Sequence, residues 1–316
     1  MGEAPDPGHP GSDRYAVVVG ATGTGKSAFA LDLADELARR GRAAEVVNAD
    51  AMQLYRGMDI GTAKLPVAER RGMAHHLLDE LDVTDEASVE WYQRRAREVM
   101  AAILANGSVP ILVGGSGLYV SGAIFDFRFP GTDADVRERY ETMLTEEGVG
   151  AVHRLLRDRD PAAAAAIGSF NGRRMVRALE VGEITGEPFA VGLPEDALTW
   201  RSPQVVGLAE ERAILVERLD ERVDTMWHDG LVAEVEALLP KGLEQGVTAS
   251  RAIGYAQAIA EVRGELSATE AQDATKALTR RYARRQVSWF HRYPRVTWAH
   301  AGQPEAVRAA ADTLVG

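Results

Sequence analysis

Apolar positions along the chain follow two periods. Short β-branched or aliphatic runs at Val17-Val18-Val19, 44–47, 111–113 and 205–208 have the length of buried strands, whereas 28–40, 89–104 and 214–239 carry apolar residues at helical spacing. The first run enters a glycine-rich turn and Gly41 closes the helix after it, so the fold opens at Tyr15 as strand, loop and helix. Strands alternating with helices predict an α/β protein with a largely parallel sheet. The rhythm breaks at Phe129-Pro130-Gly131, after which helical pattern runs without a strand until Gly186-Glu187-Pro188 and Gly192-Leu193-Pro194. The predicted organisation is a Pro-, Gly- and acid-rich disordered leader over 1–13, a core over 14–128 and 196–316, and a helical insertion over 129–195. One more long helix is predicted over 269–290, and the alanine tract at 162–166 reads as plain helix.

The turn after the first strand, GATGTGKS at 20–27, matches a phosphate-binding loop in full and stands between a strand and a helix, as that motif requires. Backbone N–H groups around Gly20, Thr22, Gly23, Thr24 and Gly25, with the helix N-terminus behind them, suit a di- or triphosphate. Lys26 adds a point charge and Ser27 is placed to ligate Mg²⁺. The fold class is therefore a P-loop NTPase-like parallel sheet flanked by helices, with the helical insertion added. Nucleotide-hydrolysing relatives of this loop place an acid at the end of a second apolar strand. Here 111–113 runs into Gly114-Gly115-Ser116-Gly117 instead, which points to a diphosphate held as a leaving group. Asp50, just past the run at 44–47, is the first acid at a strand's C-terminal end, the edge where open α/β sheets bind ligands; otherwise it is a helix N-cap or a partner of Mg²⁺.

Composition narrows the field further. With 316 residues, 46% of them hydrophobic and 26% charged, the chain is ordinary globular material, neither disordered nor collagenous. It has no Cys, so disulfides, thiolate metal sites and Cys nucleophiles are excluded. It shows no apolar run of the ~18 residues that a span needs and no signal-peptide pattern, so a cytoplasmic protein without membrane partners is expected, with a monomer as the default. The net charge of −11 argues against general nucleic-acid binding, yet from Lys276 to His300 there are seven Lys or Arg and no acid. An acidic body with one basic, aromatic-containing segment reads as a protein that meets a polyanion at a chosen place.

At 100° per residue, the helix in that segment places Ala274, Leu278, Tyr282 and Trp289 on an apolar stripe and Lys276, Arg280 and Arg284 on a ladder of their own. The ladder is either solvated or bound to phosphates of a nucleic-acid backbone. Arg285 falls inside the stripe, so it should pair with a buried acid or face the diphosphate. His75 and His76 are neighbours on an apolar run, point to opposite faces and cannot chelate one ion together. Trp91, Tyr92, Trp289, Phe290 and Tyr293 read mainly as core.

Seven blocks together carry a resemblance: GATGTGKS at 20–27, NADAMQLYRGMDIGTAK at 48–64, HHLLD at 75–79, ILVGGSGLY at 111–119, RALEV at 177–181, IGY at 253–255 and TRRYARRQVSWF at 279–290. In this order, from about residue 15 to 298, the chain resembles the bacterial tRNA dimethylallyltransferases, which transfer an isopentenoid group from dimethylallyl diphosphate to N6 of adenosine 37 beside the anticodon. The resemblance implies that 20–27 cradle the diphosphate, with Thr22 to Ser27 facing it, that Asp50 is the general base, and that Ala51, Met52 and Gln53 lie beside the anticodon stem-loop of tRNA. It places Ser116 where relatives usually carry Thr, keeping the hydroxyl, and Arg137 at the reaction centre with Arg139 close in register. It also puts Asn171 and Arg174 on tRNA, although 168–172 (GSFNG) departs from the His-Pro-Asn of many relatives. Arg280 and Arg284 are then expected on tRNA phosphates and Arg285 on the diphosphate, with Mg²⁺ as cofactor. Two other classes compete: a small-molecule kinase with Arg137, Arg173 and Arg174 as lid arginines, and an RNA-binding module without catalysis.

Overall fold

The computed structural model describes residues 13–127, 129–189, 198–293 and 295–315. Most of the predicted leader lies outside them. The chain runs β1 Arg14–Gly20, α1 Lys26–Arg39, β2 Ala44–Asn48, β3 His75–His76, α2 Val89–Ala105, β4 Val109–Gly114 and α3 Gly117–Ile124. Four helices follow, α4 Ala134–Glu146, α5 Val149–Arg159, α6 Pro161–Ile167 and α7 Gly172–Thr185. The chain then continues through β5 Ser202–Leu208, α8 Arg212–His228, α9 Leu231–Leu238, α10 Tyr255–Val262, α11 Ala268–Phe290, β6 Thr297–Ala299 and α12 Pro304–Val315. It divides into two compact units, Met1–Asp126 with Leu198–Gly316, and Phe127–Ala197.

In the first unit every strand pair is parallel and the order is β3-β2-β4-β1-β5-β6, as the alternation of strands and helices predicts. β1 is central and both of its faces are covered, which is why Val17, Val18 and Val19 are apolar without alternation. Phe29, Leu33 and Leu37 of α1 meet Val307, Ala311 and Leu314 of α12 on one side of the sheet. Tyr92 and Met100 of α2, with Val120 and Ile124 of α3, are buried too. A second core joins α9 and α10 to the segment after β2 through Tyr55, Met58, Leu231, Leu238 and Tyr255. At its edge the Glu234 carboxylate accepts the Asp59 and Ile60 amides at 3.1 and 2.8 Å, and Tyr255 donates to the same group. That clasp fixes the loop bearing residues 51–64.

The second unit is a bundle of α4 to α7 around Tyr140, Val152, Leu156, Met175 and Leu179. Asp133, Asp160 and Asn171 cap its helices. The wholly buried Glu180 binds Arg137 at 2.9 Å and Arg177 at 3.0 Å and accepts the Asp133 amide, so its charge is matched from three directions.

Two sequence expectations are corrected. The single helix expected over 214–239 is broken into α8 and α9 at Gly230, whose φ of +102° a helix cannot accommodate. On α11 the buried line is Ala271, Thr275, Ala283, Gln286 and Phe290, rotated from the stripe drawn through Ala274, Leu278 and Tyr282. The wheel ranks side chains by apolarity, and here small and amide-bearing residues take the closest approach.

Candidate active site

The phosphate loop follows from its glycines. A Cβ on Gly20 would stand 2.6 Å from the Leu208 carbonyl, and Gly23 and Gly25 have φ of +82° and +83°. With Gly25 as its left-handed N-cap, α1 begins at Lys26 and points its free N–H groups at the loop. Thr24 is buried and donates to the Ala21 carbonyl at 2.9 Å; the Lys26 ammonium donates to the same carbonyl at 2.7 Å. Ser27 is exposed on the first turn. A cavity of about 300 Å³ lies over the loop, lined among others by Thr22, Gly25, Lys26, Ser27, Asp50 and Arg222.

Beside it is a cavity of about 450 Å³ with a largely apolar wall that includes Met52, Leu118, Tyr119, Val223, Met226 and Ile253. Thr22, Asp50, Thr62 and Arg222 line both cavities. Asp50 arrives there because β2 and β4 end in close contact: a Cβ on Gly114 would sit 2.3 Å from the Ala49 carbonyl oxygen. The same contact explains why β4 ends without the acid that other phosphate-loop proteins place there. Asp50 does cap the short 3₁₀ turn at 51–54, its Oδ1 accepting the Met52 amide at 3.0 Å. Oδ2 makes no protein hydrogen bond among the described residues. Burial raises the Asp50 carboxyl above the usual range, against the pull of the Met52 amide, Lys26 and Arg222. Burial likewise lowers the Lys26 ammonium to about 8, opposed by the attraction of Asp50. The site thus holds a carboxylate and an ammonium that are not ion-paired with each other, with burial working against the charged form of each.

Other predicted residues fall into three groups. Ala51 and Met52 line the larger cavity, and Gln53 lines the smaller one while donating to the Thr62 carbonyl at 3.1 Å. Ser116 also lines the larger cavity; its hydroxyl accepts the Ala51 amide at 3.2 Å and so ties α3 to the Asp50 turn. Arg285 reaches this cavity too, with its guanidinium 5.9 Å from the Tyr282 ring centroid. The residue is exposed, and no buried acid partners it among the described residues, which corrects one of the two places expected for it.

Arg280 and Arg284 lie elsewhere. Arg280 grips both oxygens of Asp220 on α8 at 2.7 and 2.6 Å, and Lys276 pairs with Asp224 at 2.6 Å, so both cations are engaged with acids of α8 in partly exposed pairs. Arg137, Asn171 and Arg174 belong to the second unit, where Arg137 binds Glu180, Arg139 pairs with Glu183, and Asn171 caps α7 through the Arg174 amide. His75 and His76 hydrogen-bond separately to the Met73 carbonyl and Glu45, and no group of three His, Cys, Asp or Glu able to hold a metal occurs among the described residues.

Sequence reasoning missed three site residues. Arg222 approaches the Thr22 hydroxyl at 3.5 Å, and burial lowers its guanidinium from its ordinary value. It sits among Leu215, Leu219, Val223 and Met226, so the test applied to Arg285, a cation on an apolar stripe, would have found it on α8. Arg218, one turn earlier, donates to the Gly23 carbonyl at 2.8 Å. Gln286 is buried and joins two loops, accepting the Thr22 amide and donating to the Gly115 carbonyl, both at 2.8 Å. Its signal was a lone amide in a run of arginines.

Comparison with known proteins decides the family. The model of the IPP transferase family matches residues 53–293. The chain belongs to the IPP transferase family. It is 59% identical to a tRNA dimethylallyltransferase of Clavibacter sepedonicus, over 94% of this chain and 96% of that protein. A second relative of that name, from Kineococcus radiotolerans, is 57% identical over 90% of each. Among solved structures, the tRNA isopentenylpyrophosphate transferase of Bacillus halodurans superposes with a TM-score of 0.69 at 35% identity, covering 96% of both chains. A eukaryotic dimethylallyltransferase acting on tRNA gives a TM-score of 0.69 at 25% identity, over 88% of this chain and 70% of that one. These matches bear out the resemblance drawn from the seven blocks and the P-loop-like fold class. In this IPP transferase, among the described residues, no helix is long and apolar enough to cross a membrane.

Proposed function

We infer that this chain transfers the dimethylallyl group of dimethylallyl diphosphate to N6 of adenosine 37, next to the anticodon of tRNA, and releases diphosphate. The observation that carries the reading is the junction of a phosphate-loop cavity with an apolar cavity at Thr22, Asp50 and Arg222, in a chain of the IPP transferase family. Phosphate chemistry alone would leave the apolar cavity and the carboxylate without work. In the reaction N6 attacks the allylic carbon, the new C–N bond forms as the C–O bond breaks, and that electron pair departs with the diphosphate. The exocyclic amine is a poor nucleophile, and its proton becomes acidic only as the bond forms, so a carboxylate is a sufficient acceptor. Asp50 takes this proton on Oδ2, the oxygen left open by the Met52 amide.

The loop N–H groups, Lys26 and Arg222, which line the phosphate cavity, would stabilise the charge that gathers on the departing diphosphate, and Arg285 would reach toward it from the apolar cavity. One exposed hydroxyl on Ser27 and one nearby carboxylate suit Mg²⁺, which takes few protein ligands and fills its octahedron with phosphate oxygens and water. Bound at Ser27, the ion would neutralise part of the diphosphate charge. On the acceptor side Ala51 and Met52 meet the unstacked base, with Gln53 beside them at the phosphate-side cavity, and the helical second unit, with Asn171 and Arg174, grips the anticodon stem-loop, the chain acting as a monomer. A kinase reading is not favoured, because β4 ends on a glycine with no room for the metal-binding acid of that chemistry. The test is mass spectrometry of tRNA nucleosides after incubation with dimethylallyl diphosphate and Mg²⁺. One added dimethylallyl group on adenosine 37 is expected; phosphate transfer from ATP to a small acceptor without prenylation of tRNA would overturn the reading.

A further inference from the structure

Helices α8 and α11 run antiparallel, joined by a ladder of ion pairs. Asp224 faces Lys276 and, one turn on, Asp220 faces Arg280. The next rung in that register sets Arg284 opposite Val216, and the one after it brings the first turn of α8, with Arg212, alongside the end of α11. The acid that would continue the ladder is missing at this point. Here a cavity of about 470 Å³ opens between the two helices. Its wall is mostly apolar, formed by Leu215, Val216 and Leu219 from α8 and by Ala277, Ala283 and Val287 from α11. Arg212, Arg281 and Arg284 ring it; all three are exposed, and none has an ion-pair partner among the described residues. The remaining charged lining groups are already engaged, Glu210 with Arg218 at 3.1 Å and Arg280 with Asp220.

We propose that this groove is a binding site for an anionic amphiphile, a hydrocarbon chain bearing a phosphate or diphosphate head. The head supplies the negative charge that the ladder lacks at Arg284, while the chain covers the apolar wall. Charge complementarity and the wall select this occupant over nucleic acid, because a sugar-phosphate backbone would satisfy the arginines and leave the accessible apolar positions, Val216, Ala277 and Val287, uncovered. Arg212 strengthens the selection: as the first residue of α8 it adds its charge to the positive end of the helix, where an anion is favoured and a cation is not. The groove is separate from the two cavities that share Asp50, although Leu219 forms part of its wall and of the larger cavity's.

Dodecyl phosphate, kept below its micellar concentration, is the probe, with inorganic phosphate as the head-group control, both titrated calorimetrically into the full chain. The account expects dodecyl phosphate to bind at least tenfold more tightly than inorganic phosphate. Val216→Glu restores an acid opposite Arg284 and should weaken that binding at least tenfold, with tRNA prenylation in the absence of probe staying within twofold. Thermal unfolding of the variant shows whether it is folded. Ala277→Phe, which fills the groove from the other helix, serves as a second variant and should weaken binding to a similar degree. Equal affinities for the two phosphates, or binding unchanged in both folded variants, would overturn the proposal. So would displacement of the probe by dimethylallyl diphosphate, which would put it in the active site, or by an anticodon stem-loop, which would make the arginines an RNA surface.

Discussion

The two cavities that meet at Asp50 are built in different ways. On the phosphate side the backbone donors come from one stretch of chain, 20–27, whose conformation is set by left-handed glycines, while the rest of the cavity wall is drawn from β2, β4, α8, α11 and the loops after β2 and β3. The acceptor side is gathered from the Asp50 turn, α3, α8, residues 251–253 ahead of α10, and α11, residues separated by more than two hundred positions. The loop's donors are set by its own backbone, with Gln286 pinning Thr22, whereas the gathered side depends on packing and on clasps such as Glu234 with the 59–61 amides. On the reading proposed above, leaving-group stabilisation belongs to the first kind of construction and proton acceptance to the seam between the two.

Substitutions can separate these contributions. The largest effect is expected at the seam: Asp50→Asn keeps the size and the reach to the Met52 amide but cannot accept a proton, so single-turnover prenylation should fall by roughly 10²- to 10⁴-fold with both substrates still bound. Next is Lys26→Ala on the phosphate side, with a loss of about 10²-fold in rate. The pH profile should carry both groups. The kcat/KM for dimethylallyl diphosphate should rise as Asp50 ionises, above the usual carboxylate range, and fall as Lys26 loses its proton near its value of about 8. Asp50→Asn should remove the rising limb only. A profile that keeps this limb in the variant would assign it to another group.

Smaller effects probe the clasps. Gln286→Ala leaves the Thr22 amide and the Gly115 carbonyl without their partner, at a cost of about 1–3 kcal/mol of stability, and should raise KM for dimethylallyl diphosphate by about tenfold with little change in kcat. Equal effects on kcat and KM would mean that the loop's position matters to the chemical step as well. Arg280→Ala is the smallest: its half-buried pair with Asp220 is worth about 0.5–1 kcal/mol in thermal unfolding, and tRNA affinity should keep its salt dependence. A salt slope reduced by about one unit would instead return Arg280 to the tRNA phosphates.

How far the sequence could be read follows the same division. The loop at 20–27 was legible because its pattern is contiguous, and Asp50 because it follows a strand whose C-terminal end must face the ligand. Arg222 and Gln286 were marked only as a cation on an apolar stripe and a lone amide among arginines, and neither signal says that α8 and α11 close over the loop. Arg285 shows the limit of a helical wheel, which cannot tell a stripe that faces core from one that faces a cavity. The break at Gly230 was visible as a glycine but was outweighed by apolar spacing on both sides of it. Strands as short as β3 and β6 carry too few residues to show a period.

The claim that Asp50 is the proton acceptor is tested most directly by the single-turnover rate of Asp50→Asn, with saturating tRNA and dimethylallyl diphosphate, across a Mg²⁺ titration. The account predicts a defect of at least 10²-fold that persists at saturating Mg²⁺. Recovery to near the wild-type rate at high Mg²⁺ would contradict it and make Asp50 a support for the metal.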